Sequence, residues 1–301
     1  MLNWKYTIIF LALLFGAAPI LASKSDSLHI FYTGNISGAL TDCHCSGKVV
    51  GGITRLSTRI EKAKENHPNA LIVDAGDFLN SYSLPDANMD MLRAMEVVPY
   101  DLLLTGDQEF VEGQSFLPDI ISFYGLTLPL YSNNLSAYGL PAPEPKPRIF
   151  MRNGIRVAVI SITSLQSFEF IDPQSVKITS PLNVLNKVRQ EVVARSDIQL
   201  LLFHGTLREA AEIIVKNPWL DVVIKAHEQR LFFDRIKNTY IMESGTAGEY
   251  LGHLTLKIEN REIFASNEFI PITKEIKENE ELVRLLDLKD KIKSKTEQVK
   301  E

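Results

Sequence analysis

Cysteine is nearly absent from this chain: its 301 residues include two, Cys43 and Cys45. So few cysteines exclude a disulfide framework, and an apolar core has to hold the fold. A basic surplus is also missing, since 32 lysines and arginines face 37 aspartates and glutamates for a net charge of −5. That balance argues against a binder of nucleic-acid backbone, which carries a basic face. No internal repeat is present. The apolar run at residues 6–21 is shorter than the ~20 residues a spanning helix needs, and Gly16 and Pro19 weaken it further.

That run has the layout of an export signal instead. Lys5 supplies a positive start, and Ala22-Ser23 offers small residues for cleavage before the polar stretch at 24–27. We expect a signal peptide at 1–23 and a protein that is periplasmic or extracellular. The bland alternative is an uncleaved anchor, the one route by which the chain would meet a membrane. No cysteine follows Ala22-Ser23, which argues against a lipoprotein anchor.

Charged residues make up 23% and hydrophobic ones 45% of the chain, enough for a sizeable core. Short apolar runs are expected as strands at 28–32, 70–73, 101–104, 128–131, 155–161, 198–203, 222–225, 240–243 and 251–258. Segments with helical spacing fall between them, at 53–66, 89–97, 115–124, 182–195 and 208–216. This alternation predicts a layered α/β domain over 24–273. From Lys274 to Glu301 the chain is charged and helix-prone, with Ile276, Leu282, Leu285, Leu286 and Leu288 as a thin apolar stripe. A surface or docking helix is expected there, its protein partner unknown.

Four of the apolar runs end in a residue type that ligates metals. These are Asp77 in Val-Asp-Ala-Gly-Asp-Phe, Asp107 in Gly-Asp-Gln-Glu, His204 in Leu-Phe-His-Gly and His227 in Lys-Ala-His-Glu-Gln. Side chains placed just past buried strands converge on the crevice at the strands' carboxyl ends. Taken singly, Asp74 and Asp77 read as turn-formers beside Gly76, and His204 as a core imidazole. Taken together, the four read as a metal site. Glu109 reads as a support or turn residue, and Arg55 as a structural partner near the first loop. His29, His67 and His253 receive no role, because nothing local supports one.

The order of these segments resembles the calcineurin-like metallophosphoesterases, most closely the exported 5′-nucleotidase branch. Smaller matches agree: Gly51-Gly52-Ile53-Thr54-Arg55-Leu56, Tyr100-Asp101, Ser132-Asn133-Asn134-Leu135, and Gly245-Thr246-Ala247-Gly248 followed by Leu251-Gly252. The resemblance covers residues 28–272. It implies a four-layer α-β-β-α sandwich with two metal ions at the strand ends, and it leads us to expect no separate C-terminal substrate domain here.

Several positions depart from the family pattern. The first motif, Asp-x-His in the family, reads Asn35-Ile36-Ser37. The third, Gly-Asn-His-Glu, reads Gly106-Asp107-Gln108-Glu109, so Gln108 stands where a histidine assists the leaving group. The fifth, Gly-His-x-His, reads Ala226-His227-Glu228-Gln229. One site therefore keeps Asp77, Asp107, His204 and His227, a donor set suited to Zn²⁺, Mn²⁺ or Fe²⁺. The other is degraded, with Asn35 an oxygen donor in place of the usual carboxylate. One divalent ion is expected.

Between the altered first motif and Gly51 lies Cys43-His44-Cys45. These three can substitute a softer metal site for the lost ligands, with Zn²⁺ or copper preferred. They can also form a labile redox disulfide, or be a free pair or a structural disulfide. Three functions follow: an impaired or one-metal hydrolase of a nucleotide or other small phosphoester, a non-catalytic metal- or ligand-binding protein, or a redox or metal-handling protein.

Overall fold

A computed structural model describes residues 27–41, 48–169, 171, 176–260 and 262–286. The expected signal segment and the Cys43-His44-Cys45 loop lie outside these residues. In chain order the elements are β1 (Ser27–Thr33), α1 (Ile53–Asn66), β2 (Leu71–Asp74), α2 (Pro85–Val97), β3 (Leu102–Leu103), α3 (Phe116–Tyr124), β4 (Leu135–Ala137), β5 (Arg148–Arg152), β6 (Ile155–Thr163), β7 (Val176–Ile178), α4 (Pro181–Arg195), β8 (Ile198–His204), α5 (Leu207–Lys216), β9 (Val222–Ala226), β10 (Leu231–Ile236), β11 (Thr239–Ser244), β12 (Tyr250–Glu259) and β13 (Glu262–Pro271).

The strands form two large sheets. One has the order β13-β12-β1-β2-β3, the other β10-β11-β9-β8-β6-β5, and β4 pairs with β7 in a small third sheet. The inner strands β1-β2-β3 and β6-β8-β9-β11 run parallel, so their carboxyl ends lie on one side.

Alternation along the strands explains the layers. Leu28, Ile30 and Tyr32 of β1 face Val157, Val159, Leu200, Leu202 and Ile224 in the core between the sheets. Phe31 points the other way, into a core shared with Ile53, Leu56 and Ile60 of α1 and with Met91 and Met95 of α2. On the far side Ile160, Leu201 and Val223 meet Leu185 and Val188 of α4 and Ile213 and Ile214 of α5. The architecture is the expected four-layer α-β-β-α sandwich.

Helix ends follow local chemistry. Thr206 opens α5 with a reciprocal capping box to Glu209, and the left-handed Gly125 closes α3. Beyond β13 the chain docks on α1. Glu278 accepts from Thr54 and Arg55, each at 3.0 Å, Asn279 donates to Glu61 at 2.7 Å, and Leu282 is fully buried. Arg55 is thus a structural partner, as its position in the sequence suggested. Among the described residues no helix is long and apolar enough to cross a membrane.

The expected strand at 128–131 is corrected: the segment makes only an isolated bridge, Leu103 to Leu130. Strands β4, β5, β7, β10 and β13 were not expected.

Candidate metal centre

Asp77 follows β2, Asp107 follows β3, His204 ends β8 and His227 follows β9. One donor atom from each lies within 4.8 Å of the others. The closest approaches are His204 Nε2 to Asp107 Oδ1 at 3.1 Å, His227 Nδ1 to Asp107 Oδ1 at 3.2 Å and His204 Nε2 to Asp77 Oδ1 at 3.3 Å. Donors bonded at about 2.0–2.1 Å to one tetrahedral ion stand about 3.3 Å apart, so these spacings fit a single ion.

The protonation pattern supports the same conclusion. His204 Nδ1 lies 3.0 Å from the Ala75 carbonyl, which can only accept, so the proton sits on Nδ1. Nε2 then faces two carboxylate oxygens, so either a second proton or a metal ion has to sit between them.

The carboxylates add to that demand. Burial, then the charge of Asp107, pushes Asp77 well above the ordinary carboxylate range. Burial also acts on Asp107, but the hydrogen bonds from His204 and His227 outweigh it and hold Asp107 below that range. Two carboxylates this close stay ionised together only with a cation between them.

Supporting groups fix the loops. Glu109 is fully buried and accepts from the amides of Gly106 at 2.5 Å, Phe78 at 2.8 Å, and Asp77 and Leu79 at 3.1 Å. Burial and the neighbouring Asp77 push its pKa up to about 8 against the pull of those amides. Asp74, the other acid of its turn, accepts from Thr33 and Gly76 and supports the loop from outside the cluster. Gly106 must be glycine, because a Cβ there would meet the Asp77 carboxylate and sit 2.5 Å from the His204 ring. Left-handed backbone is concentrated at the motif positions: Asn35 (φ 54°), Ser37 (51°), Asp77 (62°), His227 (108°) and Gln229 (59°). Such conformations cost of order 1–3 kcal/mol each and cluster at functional sites.

Asn35 is used differently from the ligand expected. Its Oδ1 accepts from the His227 amide at 2.7 Å, while Nδ2 donates to Glu243 at 2.9 Å and to the Gly245 carbonyl at 3.0 Å. It holds the His227 backbone. Glu243 in turn binds the Lys225 ammonium at 2.6 Å, and both side chains are fully buried. Sequence reasoning missed Lys225 and Glu243. The signal available was a lysine inside an otherwise apolar strand, which must find a buried partner. Gln108 sits beside Asp77, its backbone N–H donating to Asp77 at 3.2 Å. Among the described residues its buried side-chain oxygen has no partner, and neither does the Ser37 hydroxyl.

No protein-family profile matches the chain. Rat 5′-nucleotidase is 28% identical over 296 residues, which cover 85% of this chain and 50% of the relative. Snake venom 5′-nucleotidase from Naja atra is 22% identical over 85% of this chain and 55% of its own length. The chain is similar to 5′-nucleotidases over 85% of its length. It spans about half the length of the curated relatives it matches. Solved structures share the fold. A 5′-nucleotidase precursor from Thermus thermophilus superposes with a TM-score of 0.72 at 19% identity, over 86% of this chain and 57% of that one. The calcineurin-like phosphoesterase YfkN from Bacillus subtilis gives 0.69 at 18% identity, over 88% and 97%. The Asp/His group here is of the type that can hold a metal ion.

Proposed function

We propose that this protein is an exported 5′-nucleotidase-related phosphoesterase with one divalent ion and impaired turnover. One observation carries the reading: four donors meet around a single point, while Asn35, at the altered first motif, is bonded to Glu243, Gly245 and His227. Asp77, Asp107, His204 and His227 would hold the ion, which supplies Lewis acidity to a phosphoryl oxygen and lowers the pKa of water. A pair of ions clamps the attacking and leaving oxygens alike, and one ion does only part of that work.

The chain's own residues limit the rest. Gln108 can donate a hydrogen bond to a phosphate oxygen, but a primary amide does not serve as a general acid. Losing that acid costs about 10²–10⁴-fold. The substrate class we propose, a nucleotide or other small phosphoester, rests on the relatives alone.

Counting the metal ions held in the crevice by their anomalous scattering, with phosphate release across a panel of phosphoesters, tests this reading. One ion and slow release that disappears in Asp77→Asn support it. Two ions with fast release would overturn it. A second reading, a non-catalytic metal- or ligand-binding protein, draws on the same Gln108 and Asn35. One bound ion with no release under any metal would favour it. The signal segment and the Cys43-His44-Cys45 loop enter as expectations: N-terminal sequencing of the exported protein tests the first, and a thiol count with and without reductant the second.

A further inference from the structure

Three of the six histidines in this chain meet far from the crevice. His29 lies on β1, His253 on β12 and His67 just past α1. In the antiparallel register His29 pairs with Thr255 and Phe31 with His253, so His29 and His253 are diagonal neighbours on the outer face of the sheet. His29 Nδ1 and His253 Nε2 stand 3.0 Å apart, the His29 and His67 rings lie 4.0 Å centre to centre, and one nitrogen from each histidine lies within 4.8 Å of the others. His29 is near the start of β1 and the crevice lies past the carboxyl end of that strand, so the two clusters sit toward opposite ends of the sheet.

We propose that His29, His67 and His253 form a second metal site, one that takes a single borderline transition ion through three imidazole nitrogens. An all-nitrogen set selects Zn²⁺, Ni²⁺ or Cu²⁺ and discriminates against Mg²⁺ and Ca²⁺, which want oxygen. Histidine ligands in metal sites are held by groups on their other nitrogen, and here a hydroxyl and, farther off, a carboxylate lie on those sides. Glu268 lies 4.0 Å from His253 Nδ1, which leaves Nε2 for the ion. The Ser27 hydroxyl lies 3.3 Å from His29 Nε2, so when metal takes Nδ1 the ring proton moves to Nε2 and is donated in a hydrogen bond to that hydroxyl. This tautomer change releases no net proton.

The surroundings are suitable. Phe31 stacks on the His253 ring at 4.2 Å and restrains it. A cavity of about 190 Å³ lined in part by His29, His67 and Asn153 opens beside the cluster, leaving room for a fourth, exchangeable ligand. Burial, then the neighbouring His67, holds His29 below its ordinary pKa, and burial and the neighbouring imidazoles lower His253 to about 4. The positive charge of Arg59 also acts on His253 and opposes an incoming cation, while Glu268 offsets it.

Zn²⁺ titration of the full chain carrying Asp107→Ala and His227→Ala tests this site without interference from the crevice. We expect one Zn²⁺ per chain, with ¹⁵N shifts confined to the imidazoles of His29, His67 and His253 and His29 converting to its Nε2-protonated form. Adding His67→Gln and His253→Gln should weaken binding at least 100-fold, with a metal-free melting curve close to that of the parent showing that the fold survives. Zn²⁺ that leaves these imidazole signals unmoved, or that binds the His67→Gln/His253→Gln protein as tightly as its parent, would overturn the proposal.

Discussion

The two halves of the crevice solve the same electrostatic problem in opposite ways. On one side Asp77, Asp107, His204 and His227 crowd two carboxylates and two imidazoles around one point, an arrangement that suits a cation. On the other side the positive charge is covalent: buried Lys225 neutralises buried Glu243, and Glu243 fixes Asn35. The first half is built to bind, while the second is already satisfied. Asn35 joins the two halves, because its amide bridges the ion pair to the His227 backbone.

Breaking the satisfied half should have the largest effect. Lys225→Met leaves Glu243 charged and buried, and we expect about 3–5 kcal/mol of destabilisation in denaturant melts. Adding Glu243→Gln should recover much of that loss. In the binding half, Asp107→Ala removes the oxygen that meets both imidazoles. Equilibrium dialysis should show metal affinity falling by more than the ~10–100-fold typical of losing an outer partner, with little loss of metal-free stability.

Asn35→Asp sharpens the contrast. It removes the donor to Glu243 and sets a like charge beside it, which should cost about 1–3 kcal/mol. Added Mn²⁺ should not restore the loss, and stoichiometry in the crevice should stay at one. A second ion there would show that the satisfied half is open after all.

The smallest expected effect is a control remote from both halves. Burial raises Asp221 to about 6 from an ordinary 3.8. The folded protein therefore holds this proton more tightly than the unfolded chain. That contribution is fully present below pH 3.8 and is lost as pH rises through 6. Asp221→Asn should flatten this fall, on the order of 1 kcal/mol given its partial exposure.

The buried parts of the fold were legible in the sequence. Strand β8 and helix α1 show their periods because one environment governs each: apolar on both faces for the strand, one apolar stripe for the helix. The unexpected strands were mostly edges. β10 carries Asp234 and Arg235 and lies largely in solvent, so its composition resembles a loop. β4 and β7 pair across some forty residues of intervening chain, a contact that no local pattern encodes. The four crevice donors were readable because each closes an apolar run. The Lys225–Glu243 pair and the three-histidine cluster were hidden because they depend on register: which face of β1 or β9 a residue occupies follows from partners far along the chain.

The left-handed backbone at Ser37 and Gln229 has a consequence for how this protein tolerates change. Neither residue belongs to the four-donor group, yet both turns suit residues without a branched Cβ. A saturation library scored for folded yield should therefore enrich glycine and asparagine at these two codons and deplete valine and isoleucine. Such a profile would be set by chain geometry whether or not any phosphoester is ever cleaved.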